Sequence, residues 1–227
     1  MRRFLIFVLI LILLPACSMP GALIATPTTA LGLTPTVANT PTEAPVAVPA
    51  ILEIFPLSPG ATWKYAAEIE YQNPDDLQET LIWTGVITVS VVDQETSPDG
   101  QIVFTLEEVL EPTPPQDVWR QSSSYQYLVE EGEIFQDSEK IIQWPLADKM
   151  SWTTWPDFEY QTEVSYQGDV ETPYGLLKDC YQVFILTGPD VQIEIFCPGV
   201  GFVQHDYHHF GTPQDEHFEL VSFEPGN

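Results

Sequence analysis

A period-two alternation of apolar and polar residues recurs through residues 51–227, and it restricts the fold of this chain more than any other feature. From Trp63 to Tyr71 the odd positions are Trp63, Tyr65, Ala67, Ile69 and Tyr71, separated by Lys64, Ala66, Glu68 and Glu70. Successive side chains of a strand point to opposite faces, so this spacing gives one aromatic face and one wet face. Phe158, Tyr160, Thr162, Val164 and Tyr166 alternate with Glu159, Gln161, Glu163, Ser165 and Gln167 in the same way. Residues 80–92 are rich in β-branched side chains, and Ile102, Phe104 and Leu106 share one side of 101–110. Further strands are predicted at 122–130, 133–136, 176–186, 191–197, 201–210 and 217–223. Turn residues punctuate them, as at Asn73-Pro74-Asp75, Ser97-Pro98-Asp99-Gly100 and Gly211-Thr212-Pro213. No stretch of ten or more residues shows a 3.6-residue period. The expectation is an all-β domain: a single curved antiparallel sheet of about ten strands, closed as a barrel or half-barrel, with a sandwich as the alternative. Residues 55–63 and 144–152 also echo one another. Each has an aromatic-Pro-Leu step, a turn, and then a tryptophan that opens a strand.

The first fifty residues are of different material. Arg2 and Arg3 precede an unbroken apolar run over residues 4–14, followed by Pro15, Ala16 and Cys17. This is the layout of an export signal and is too short for a permanent bilayer span. Leu14-Pro15-Ala16-Cys17 resembles the lipobox of bacterial lipoproteins. That resemblance implies cleavage before Cys17, a diacylglycerol on its sulfur, and residence on the extracytoplasmic face of the cell membrane. Residues 18–50 contain seven threonines, six prolines, no aromatic residue and one charge, Glu43. So little to bury cannot offset the entropy of ordering, which makes this segment an extended tether reaching on the order of 100 Å. The expected organisation is therefore a signal at 1–16, a lipidated cysteine and tether at 17–50, and a β domain at 51–227.

The chain carries a formal charge of −26, and cleavage of the signal removes Arg2 and Arg3 to leave −28. Such a surface repels phosphate backbones, so nucleic acid is excluded as a partner. With Cys17 assigned to lipid, Cys180 and Cys197 remain. They flank a hairpin pattern turning at Thr187-Gly188-Pro189-Asp190, and a symmetric turn places the two cysteines opposite one another. The same register pairs Phe184 with Ile193 and Leu186 with Val191 on the cysteine face, and Val183 with Glu194 and Ile185 with Gln192 on the other. A cross-strand disulfide between Cys180 and Cys197 is predicted.

All four histidines fall within the last 23 residues. If 201–210 and 217–223 pair around Pro213, His209 faces His217, and His205, His209 and His217 gather near Glu219 as a zinc or copper set. Gly199-Val200-Gly201 lacks the third glycine and the helix of a dinucleotide site and reads instead as a bend opening a strand. Adjacent acidic pairs such as Glu107-Glu108 point to opposite faces of a strand, so they cannot act together as glycosidase carboxylates. The many aromatics either fill the core or line a concavity for an apolar ligand.

Three fragments resemble a broad group of bacterial exported lipoproteins with a β-rich domain. They are Phe55-Pro56-Leu57 with Gly60 and Trp63, residues 174–180 ending in Asp179-Cys180, and Gly199-Val200-Gly201-Phe202-Val203. The resemblance implies a fold class and no activity. The sequence thus leads to a membrane-anchored binding or envelope-accessory module, not an enzyme and without a cofactor, that takes a hydrophobic ligand or a protein partner. The alternative is a metal-assisted hydrolase using the C-terminal histidines.

Overall fold

Twelve strands account for most of the described residues. A short helix α1 (Ala50–Ile54) leads into β1 (Thr62–Gln72), β2 (Thr80–Thr96), β3 (Ile102–Glu111), β4 (Ser123–Glu130), β5 (Glu133–Gln136) and β6 (Glu139–Gln143). Then follow β7 (Ser151–Trp155), β8 (Tyr160–Thr172), β9 (Gly175–Leu186), β10 (Asp190–Cys197), β11 (Gly201–His209) and β12 (Gln214–Glu224). The computed structural model describes residues 50–155 and 160–227. The chain divides into two units, Met1–Pro45 and Val46–Asn227, and the description concerns the second. The signal, Cys17, the threonine- and proline-rich segment to residue 49, and Phe158 lie outside the described residues. Among those described, no helix is long and apolar enough to cross a membrane.

The strands form one antiparallel sheet in the order β6-β5-β4-β3-β2-β1-β12-β11-β10-β9-β8-β7. Its two edges approach each other, and the Trp152 indole N–H of β7 donates to the Lys140 carbonyl of β6 at 3.0 Å. The result is a nearly closed barrel, as the alternation predicted, and not a sandwich. The short strand β6 exceeds the expected set, whereas β7 is the strand that Trp152 was expected to open. Along β1 the odd positions Trp63, Ala67, Ile69 and Tyr71 are buried, while Lys64, Ala66 and Glu68 are exposed. In β8 the alternation holds for Thr162 and Val164, but the register shifts after Tyr166 and leaves that ring half exposed.

The echo between residues 55–63 and 144–152 is structural. Ala61 N donates to Ser58 O, and Met150 N donates to Ala147 O at the equivalent place. Gly60 (φ 89°) and Lys149 (φ 63°) occupy the same left-handed position. Each then docks on the neighbouring strand: Gly60 N donates to Val91 O on β2, and Lys149 N donates to Val164 O on β8. The barrel is therefore two six-stranded meanders, β1–β6 and β7–β12, each started by the same corner.

The interior has two apolar layers. In the larger one, Phe55 meets Trp63, Tyr127, Phe196 and Phe202 edge-on at centroid distances of 5.6 to 6.1 Å. The smaller gathers Ile69, Trp83, Leu110, Val118 and Phe218 further along β1. Gly201 opens β11 with φ 104°, and a Cβ there would lie 2.6 Å from the Phe55 ring. Gly199 N donates to Ile54 O. The Gly-Val-Gly segment is therefore a bend on which α1 and Phe55 seat, consistent with the sequence reading.

Cys180 and Cys197 form a disulfide, and the β9–β10 register is the one expected, from Val191↔Leu186 to Phe196↔Tyr181. Closing a loop of 17 residues contributes about 3 kcal/mol in the chain-entropy picture. The side chains pair as expected, but it is the mixed face, and not the apolar one, that turns inward. Val183 and Ile185 are buried and line the interior with Glu194 and Gln192. Leu186 is half exposed, and Val191 and Ile193 face the outer surface. The interior at this level is a polar cavity and not a filled core, so the apolar pairs do not mark the inside.

Candidate functional site: a cavity inside the barrel

Between the two apolar layers lies a cavity of about 590 Å³. Its aromatic walls come from both meanders and include Trp63, Tyr65, Tyr125, Tyr127 and Phe202. Burial, aided by nearby carboxylate charge, raises the Tyr65 and Tyr127 hydroxyls well above the usual phenol range, so both stay neutral donors. The Tyr65 hydroxyl donates to Phe202 O at 2.9 Å.

An ion-paired chain forms the polar side. Glu108 lies between Leu106 and Leu110 on the inward face of β3, and strand alternation forces its carboxylate inside with them. Glu216 occupies the same kind of position on β12, in line with Phe218 and Leu220. Arg120 reaches both from the connection between β3 and β4. Its Nε and Nη2 donate to Glu108 at 2.9 and 2.8 Å, and its Nη1 donates to Glu216 Oε2 at 3.0 Å. The bidentate fork uses guanidinium geometry that lysine lacks. The guanidinium also lies 4.9 Å from the centre of the Phe218 ring. Val118, fully buried in the smaller layer, seats this connection.

His205 extends the chain from β11. Its Nδ1 contacts Glu194 at 2.7 Å, its Nε2 contacts Glu216 Oε2 at 3.1 Å, and its ring stacks on Phe218. Burial works against the charged form, but the two carboxylates overcome it and lift the imidazole to about 9, so it is a cation at neutral pH. Glu216 Oε2 therefore accepts from Arg120 and His205 together, while its buried Oε1 has no hydrogen-bond partner. Glu139, at the start of β6, also lines the cavity. Its carboxyl is pushed up to about 7 by burial and by the charges of Glu194 and Asp137.

The histidine set is not assembled. The β11–β12 ladder pairs Asp206 with His217 and His208 with Asp215, so the hairpin turns between residues 211 and 212 and not around Pro213. That change of parity puts His217 on the outer face, where it contacts Asp206, while His205 points into the barrel. His209 contacts Asp190 at 2.5 Å instead of facing His217. Among the described residues, no three His, Cys, Asp or Glu side chains gather as a metal set.

Sequence reasoning missed Glu108, Arg120, Glu139, Glu194 and Glu216. Two signals pointed to them. Arg120 is the sole arginine after Arg3, and Glu108 interrupts an inward Leu-x-x-x-Leu row.

No family model matches this chain, and no curated protein matches it. Solved structures with a similar course include one from Bacteroides fragilis, described as an inferred exported protein with YmcC-like fold. It has a TM-score of 0.42 and 11% identity, covering 75% of this chain and 98% of that one. Another, an inferred lipoprotein from Parabacteroides distasonis, has a TM-score of 0.43 and 14% identity, covering 75% and 97%. MucB gives a TM-score of 0.30 and 8% identity, covering 73% and 54%. At these TM-scores the likenesses carry no argument about activity, ligand or compartment.

Proposed function

We propose that this chain is an extracytoplasmic, lipid-anchored binding module that holds an amphipathic small molecule inside its barrel without transforming it. The observation that carries the reading is the cavity. Its volume of about 590 Å³ falls in the range of roughly 300–1,000 Å³ usual for small-molecule sites. Aromatic rings on one side and charged groups on the other suit a guest with an apolar body and a polar end. Support for the anchor comes from the sequence alone: the short apolar run, Cys17, and a tether able to hold the domain away from the lipid. The membrane is thus the partner reached through Cys17, and the acidic surface disfavours nucleic acid.

Native mass spectrometry of the full chain, produced with its signal and extracted from membranes, tests both parts. A stoichiometric, non-covalent small molecule released on unfolding is expected, together with an acylated cysteine at the start of the N-terminal fragment. An empty cavity in every preparation contradicts the binding reading. A free Cys17 sulfur, or an N-terminus elsewhere, contradicts the anchor.

A further inference from the structure

The charges around the cavity do not balance, and the imbalance has a sign. Glu108, Glu139 and Glu194 line it and Glu216 lies against its polar side, whereas among the described residues only Arg120 and His205 bring positive charge. Both cations are committed: Arg120 to Glu108 and Glu216, and His205 to Glu194 and Glu216. Lys140, the nearest basic residue in sequence to Glu139, points its Nζ to Glu133 at 2.6 Å instead. The Glu139 carboxylate has no hydrogen-bond or ion-pair partner among the described residues, although it faces the same cavity as Glu194. Around these two carboxylates stand Tyr65, Tyr125, Tyr127 and Phe202, whose ring faces carry the negative side of the aromatic quadrupole.

Accepting that the cavity is a binding site, we infer that its ligand is an organic cation: a protonated amine on an apolar body. The ammonium group is met by Glu139 and Glu194, and the body lies against the tyrosine and phenylalanine rings. An ammonium supplies up to three donors and one positive charge, which is what two carboxylates with spare acceptor capacity lack in the empty barrel. An anionic guest, such as a fatty acid or a phosphate, would instead meet a surplus of like charge with no free cation to receive it. The elevation of Glu139 toward neutrality, caused by burial and by Glu194, agrees with a carboxyl that waits for a counter-charge.

Three compounds with the same phenethyl body separate the possibilities: phenethylamine, phenethyl alcohol and hydrocinnamate, which are cationic, neutral and anionic. Binding to the full chain is read from quenching of the fluorescence of Trp63 and Trp119, which line the cavity. The amine is expected to bind at least about tenfold more tightly than the alcohol, with the anion weakest. Glu139→Gln removes a charge and no hydrogen bond, so it leaves the fold intact. It should erase most of the preference for the amine and leave the affinity for the alcohol unchanged; Glu194→Gln serves as a second variant with the same expected direction. If the alcohol binds as well as the amine, or if the neutral dye Nile red enters and the amine does not, the cation assignment fails and the cavity reading stands. If neither the dye nor any of the three compounds binds, both fail.

Discussion

Arg120 holds together two carboxylates that the barrel has removed from water, and its replacement by methionine is the sharpest perturbation of the interior. The Glu108 and Glu216 side chains are 5% and 0% exposed; Glu216 keeps His205, but among the described residues Glu108 has no cation other than Arg120. Methionine fills much of the same volume but offers none of the three hydrogen bonds. Removing one partner of a buried pair costs about 3–5 kcal/mol, because the charge left behind is uncompensated. For a domain of this size each kcal/mol moves the melting temperature by about 2–4 °C, so a fall of about 6–20 °C is expected. Adding Glu108→Gln, which removes the carboxylate left without a cation, should restore part of the stability. Urea denaturation of wild type and the two variants gives the numbers. A cost below about 1 kcal/mol, or no recovery in the double variant, refutes the reasoning.

Two other outcomes follow from the same interior. Gly201→Ala places a methyl group against the Phe55 ring at a positive φ, and about 2–5 kcal/mol of stability should be lost in a denaturant titration; a loss under about 1 kcal/mol would show that Phe55 is free to move aside. His205 is raised in the fold, so its stabilisation is complete below its unfolded value near 6.5 and is lost as pH rises through about 9. The urea midpoint of wild type should exceed that of His205→Gln at about pH 6 by an amount worth up to about 3 kcal/mol and approach it near pH 10; parallel curves contradict this.

Much of the fold could be read from the chain because it rests on a local rule. Alternation at Trp63 to Tyr71 fixed the inward face of β1, and the turn at 187–190 fixed a register that brings Cys180 onto Cys197. The tryptophan corners were visible as a sequence echo because the same backbone turn demands a left-handed residue three positions before each tryptophan. β6 was missed because its two apolar residues, Ile141 and Ile142, are adjacent and show no period of two. The site was largely illegible for a different reason. Sequence patterning equates apolar with inside, yet here Glu194 and Gln192 line the interior while Leu186 is half exposed. A barrel that encloses a polar cavity inverts the rule where its function lies. The histidines misled through a single parity error: a turn centred before Thr212 instead of on Pro213 sends His217 to the outer face. Arg120 joins residues 12 and 96 positions away, a proximity that only the closed sheet creates.

The central claim is that the barrel interior is open space for a guest, and filling that space tests it most directly. Val183 is fully buried and lines the cavity, so Val183→Phe should occupy part of it without exposing new surface. Titration of the full chain with Nile red, followed by the dye's fluorescence, should show saturable binding with one site in the wild type. In the filled variant that binding should be lost, with the melting temperature held or raised. Equal uptake of the dye by both proteins would place it on the outer surface and contradict the account.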